Sequence, residues 1–89
     1  MIHKQIVIIN KLGLHARAAA KFVTTASAFE SDIHLARGDQ KINGKSIMGV
    51  MMLAASQGSQ LDLYVEGNDE EQAAKALLEL INNRFDENQ

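Results

Sequence analysis

At 89 residues the chain suffices for one two-layer domain with a single core, expected to span residues 1–89. It holds no cysteine, which excludes a disulfide framework and a thiolate metal site. A net charge of -2 with one tyrosine and three phenylalanines lacks the basic, aromatic footprint of a nucleic-acid binder.

From Ile2 to Ile9 the run is rich in β-branched residues and predicts a strand with Ile2, Ile6 and Ile8 on its core face. The opening residues carry no basic flank or small-residue cleavage site, and no later segment has the length of a membrane span, so the expected location is the cytoplasm, without membrane insertion. Asn10 to Gly13 breaks the strand. Ala16 to about Ala28 predicts a helix whose apolar face is Ala19, Phe22, Val23, Ala26 and Phe29.

Asp32 to Arg37 alternates, with Ile33 and Leu35 inward and Asp32, His34 and Ala36 outward. Gly38-Asp39 then turns the chain into a return strand from Gln40 to Asn43. Ser46 can cap a short helix through about Ala55. Gln60 to Glu66 alternates again, burying Leu61, Leu63 and Val65. Asn68 and Glu71 form a capping-box pattern, and Ala74, Leu77, Leu78, Ile81 and Phe85 mark the apolar face of a last helix. The tail from Asp86 to Gln89 is expected to fray. Alternating strands with one wet face, mixed with helices, predict an α+β fold: a four-stranded antiparallel sheet covered on one side by three helices.

The stretch Lys11-Leu12-Gly13-Leu14-His15-Ala16-Arg17-Ala18 delivers a histidine to a helix N-terminus. There the unpaired first-turn N–H groups and the positive end of the helix dipole favour an anion. Arg17 adds a guanidinium fork suited to phosphate oxygens. A titratable nucleophile, an anion-binding helix end and an arginine together point to a histidine that carries a phosphoryl group. The competing reading is a surface or capping histidine.

The Ser46 helix is apolar nearly all round. With Val50, Leu53 and Ala54 inward, Ile47, Met48, Met51 and Met52 face out, and flexible thioethers on a surface suit partner docking; the alternative is that the methionines fill core gaps. Gly44-Lys45-Ser46 mimics the end of a P-loop, but the required earlier glycine falls at Asp39 and the parallel βαβ context is missing. His3, His15 and His34 lie on separate elements and predict no metal site.

Gly-Leu-His15-Ala-Arg17-Ala-Ala, followed by Asn-Gly-Lys45-Ser46-Ile-Met-Gly-Val-Met-Met-Leu in this order of elements, resembles the HPr family, the histidine-containing phosphocarriers of the bacterial phosphotransferase system. The resemblance covers nearly the whole chain and implies an open-faced sandwich. It implies that His15 takes a phosphoryl group on Nδ1 from phospho-enzyme I, charged by phosphoenolpyruvate, and passes it to enzyme IIA-type domains. Arg17 and the amides of Ala16, Arg17 and Ala18 would cradle the phosphate. Ser46 matches a serine modified by HPr kinase/phosphorylase, and Ala20, Ile47, Met48 and Met51 match the partner-docking surface. The implied protein is a relay rather than an enzyme, needs no cofactor and suits a monomer.

Two positions depart from the family pattern. Ala18 stands where proline is usual, and Leu12 where a polar residue is common. The acidic tail resembles the nitrogen-related paralogue, which is the alternative branch. From a different class, the alternative is a non-catalytic regulatory module switched at Ser46; a small ligand-binding domain is the remaining reading.

Overall fold

The structure, a computed structural model, describes residues 1–87. Strand β1 (Ile2–Val7) leads into helix α1 (Ala16–Ser27), then the hairpin of β2 (Asp32–Arg37) and β3 (Gln40–Asn43). Helix α2 (Ile47–Met52), strand β4 (Gln60–Glu66) and helix α3 (Glu70–Asn82) follow, with a 3-10 turn at Arg84–Asp86. The strands form one antiparallel sheet in the order β1-β4-β2-β3.

Alternation along the strands separates the two faces of the sheet. Ile6, Ile33, Leu35, Leu61, Leu63 and Val65 point into the core, where Ala18, Ala19, Phe22 and Ala26 of α1, Val50 of α2 and Ala73, Ala74, Leu77 and Ile81 of α3 meet them. This is the predicted architecture of a sheet with three helices, and the short alanines let α1 approach the sheet closely. On the outer face His3 stacks on Tyr64 with centroids 4.4 Å apart and bonds Asp62 at 2.8 Å.

Several boundaries differ from the sequence expectation. Strand β1 stops at Val7, because Ile8 pairs instead with the turn before β4: its N–H donates to the Ser59 carbonyl at 2.9 Å, and its own carbonyl accepts from Gly58 N–H at 2.7 Å. Ala36 lies on the outer face yet is buried; its register partners on the flanking strands are the longer residues Lys41 and Asp62.

Helix α2 ends at Met52 rather than near Ala55, and Ala54 turns outward with φ of 50°. Arg37 Nη1 accounts for that ending, donating to the Leu53 and Ala54 carbonyls, each at 2.9 Å. The Asn68–Glu71 capping box does not form. Asp69 is the N-cap of α3, but its carboxylate accepts from the N–H groups of Glu30 and Ser31 and from the Ser31 hydroxyl. Three donors beyond the end of α1 compete successfully for that carboxylate, and Glu70 bonds back to Gly67 N–H at 3.2 Å.

The C-terminal segment departs most. Helix α3 ends at Asn82, and Arg84, Phe85 and Asp86 have φ of 55°, 53° and 62°. Left-handed backbone at a residue with a side chain costs about 1–2 kcal/mol. Complete burial of Phe85 offsets this, aided by the Asn83 to Asp86 side-chain bond of 2.7 Å. Asp86 and Glu87 are therefore docked rather than frayed; Asn88 and Gln89, the rest of the expected frayed tail, lie outside the described residues.

Candidate functional site

The loop between β1 and α1 is fixed at both ends by backbone contacts. Leu14 N–H donates to the Ala55 carbonyl at 2.8 Å, tying the loop to the segment that follows α2. Gly13 runs along the same segment with φ of +68°, and a β-carbon there would lie 2.5 Å from the Ala55 oxygen. Only glycine combines that turn with so close an approach. Asn10, fully buried, donates from Nδ2 to the Gly13 carbonyl at 2.8 Å and closes the loop on itself.

This delivers His15 as the N-cap of α1, with extended backbone and a side chain 25% exposed. Its Nδ1 accepts the Arg17 backbone N–H at 3.3 Å, so the ring occupies the helix-end position that was expected to lie open to an anion. Nε2 bonds Oε2 of Glu87. Because an amide only donates and a carboxylate only accepts, these partners leave the lone pair on Nδ1 and the hydrogen on Nε2. Glu87 is ionised at neutral pH. Burial pushes its carboxyl up, but the N–H of Asn10, the hydrogen bond from the His15 ring and the nearby positive charge of Arg17 outweigh that and hold it below the usual glutamate range.

Around this ring the expected residues take different positions. Ala16 and Arg17 are exposed on the first turn, whereas Ala18 is fully buried and packs in the core. Ala20 borders a cleft of about 320 Å³ together with Arg17, Lys21, Thr24, Leu80 and Asp86. Ser46 caps α2 as expected, its hydroxyl accepting Gly49 N–H at 3.0 Å. Ile47, Met48, Met51 and Met52 stand exposed while Val50 and Leu53 are buried, so the methionines form a surface rather than filling the core. Leu12 adds a further exposed apolar side chain on the histidine loop.

Sequence reasoning missed Asn10, Lys21 and Glu87. Glu87 lies 72 positions from His15 and reaches it only because the chain reverses at Phe85. The available signal was Phe85 itself, an apolar residue beyond the helix whose burial draws the following acids toward α1. Among the described residues no group of histidine and acidic side chains gathers in a metal-binding arrangement, and no helix is long and apolar enough to cross a membrane.

Chemically, the site offers a nucleophilic nitrogen at a helix N-terminus, with a cation beside it and a carboxylate behind the ring. The family model for the PTS HPr component phosphorylation site matches residues 2–83. A phosphocarrier protein HPr from Neisseria meningitidis is 53% identical over 87 residues, 98% of each chain. The solved structure of HPr-C-His from Thermoanaerobacter tengcongensis superposes with a TM-score of 0.96 at 52% identity, covering 100% of both chains. An HPr dimer from the same organism gives a TM-score of 0.79 at 53% identity, covering 98% of this chain and 100% of that one. Motif, fold and overall similarity agree: the chain belongs to the HPr family, the phosphocarrier proteins of the phosphotransferase system.

Proposed function

We propose that His15 accepts a phosphoryl group on Nδ1 from phospho-enzyme I, charged by phosphoenolpyruvate, and passes it to enzyme IIA-type domains. The observation that carries this reading is the Nδ1 lone pair held at the start of α1, where it accepts the Arg17 amide. A phosphoryl group on that nitrogen meets the first-turn amides of Ala16, Arg17 and Ala18, and the Arg17 guanidinium neutralises its charge. Phosphoryl transfer asks little of a protein beyond positioning and charge stabilisation, which these groups provide without a cofactor.

Residues 1–89 act in this reading as one cytoplasmic phosphocarrier domain, a relay rather than an enzyme. A monomer suits the task because one face must meet successive partners. That face combines Ala20 with the exposed Ile47, Met48 and Met51. Ser46 is the regulatory position, modified by HPr kinase/phosphorylase: a phosphate there stays at a helix start, where its oxygens can take over the Gly49 amide.

Incubation with enzyme I and phosphoenolpyruvate tests the reading. An acid-labile phosphoryl adduct is expected on the native chain and none on His15→Ala; an intact chain that takes no label overturns it.

A further inference from the structure

Glu87 touches the histidine ring at the nitrogen opposite the one that carries the chemistry. The residue is held at both ends: in its carboxylate, Oε1 accepts Asn10 Nδ2 at 3.0 Å and Oε2 meets His15 Nε2, while its backbone N–H donates to the Arg84 carbonyl at 2.9 Å. The side chain is only 12% exposed. Asn10 is itself fully buried and bonds the Gly13 carbonyl, so one amide group links the carboxylate to the loop that presents His15. A carboxylate serving only to fasten the C-terminal segment has no need to address the ring, because Phe85 burial and the Lys21 bond already fasten it.

We propose that Glu87 is a positioning residue for the relay, which keeps the hydrogen on Nε2 of His15 through both loading and unloading of the phosphoryl group. This rests on the phosphocarrier reading above. On loading, the Nδ1 lone pair forms the N–P bond while the donor's bond to phosphorus breaks and its electron pair leaves with the donor. The Nε2 hydrogen does not move, the ring gains a positive charge, and Glu87 faces that charge. On unloading, a nucleophilic side chain of the next carrier attacks phosphorus and the N–P electron pair returns to Nδ1. With hydrogen still on Nε2 the ring departs as neutral imidazole; without it the leaving group is an imidazolate, a far stronger base and a poorer leaving group. The groups that face the carboxylate are Asn10 from the loop, His15 at the N-cap of α1 and Arg17 on its first turn, while Lys21 is engaged with the Phe85 carbonyl.

The full chain can be loaded with phosphoramidate, a small donor that needs no partner protein, and followed by ¹⁵N and ³¹P NMR of the His15 ring in the native protein, Glu87→Gln and Glu87→Asp. At mildly alkaline pH, Glu87→Gln should lose the persistent Nε2–H signal and transfer its phosphoryl group to a IIA-type domain more slowly by on the order of tenfold, the scale of one charge-assisted hydrogen bond. Glu87→Asp should recover part of both. If Glu87→Gln lowers thermal stability while its ring spectrum and its transfer rate across pH superpose on those of the native protein, the residue is a structural tie only and the proposal falls. If enzyme I fails to load the native chain while the phosphoramidate adduct still shows the Glu87 dependence, the phosphocarrier reading falls and the positioning role stands.

Discussion

Lys21 Nζ donates to the carbonyl oxygen of Phe85 at 2.7 Å, so helix α1 holds both His15 at its start and, further along at Lys21, the turn that brings Glu87 back to it. Lys21→Met keeps the apolar stem but removes the donor. Loss of this part-buried bond should lower unfolding free energy by about 1–2 kcal/mol in a urea titration. An unchanged midpoint would show that the Phe85 reversal holds without it.

Acid should weaken the native fold partly through Glu87. Its folded value lies below the ordinary 4.5, so its contribution is complete above that value and is lost as pH falls through the lower folded one. Asp69 is lowered as well, first by the Ser31 hydroxyl, and Glu70 first by the Gly67 amide, so some acid sensitivity persists in any Glu87 variant. Melting temperatures measured from pH 6 downward should therefore fall more steeply in the native chain than in Glu87→Gln below about pH 4.5. Parallel curves would place the Glu87 contribution at zero.

Gly13→Ala should be among the most damaging single methyl additions. Both the φ of +68° and the 2.5 Å approach to the Ala55 oxygen resist it, and that oxygen belongs to backbone that cannot swing aside. A loss of about 2–4 kcal/mol is expected from chemical denaturation. A much smaller loss would mean that the loop yields, and His15 would then move from the start of α1.

Ser46→Ala removes the acceptor for Gly49 N–H and should cost about 1 kcal/mol. Met48→Glu, by contrast, changes a side chain that is 71% exposed and should alter stability by less than about 0.5 kcal/mol. If Met48 belongs to the docking face, that variant should nonetheless weaken enzyme I binding at least tenfold in a titration. Native affinity would remove it from the interface.

The sheet and helices were legible in the sequence because alternation in Gln60–Glu66 and the three-and-four spacing of Ala19, Phe22 and Ala26 carry direct geometric meaning. The His15 loop and the methionine surface were legible for the same reason: a break before a helix, and too many apolar residues for one short face. Asn68 misled because local capping chemistry ignores distant donors, and the Asp69 carboxylate was claimed by Glu30 and Ser31. The left-handed residues after Asn82 were not legible, since no glycine marks the reversal. Glu87 depends on that reversal, so the group behind the histidine ring emerges only from tertiary structure.

The most direct measurement of the central claim is a two-stage transfer. The chain is labelled with enzyme I and radiolabelled phosphoenolpyruvate, freed of both, and mixed with a IIA-type domain. Acid-labile label should map to His15 in the first stage and move to the IIA domain in the second, with His15→Ala failing at the outset. Label that maps to another residue, or that remains on His15 after mixing, would contradict the relay.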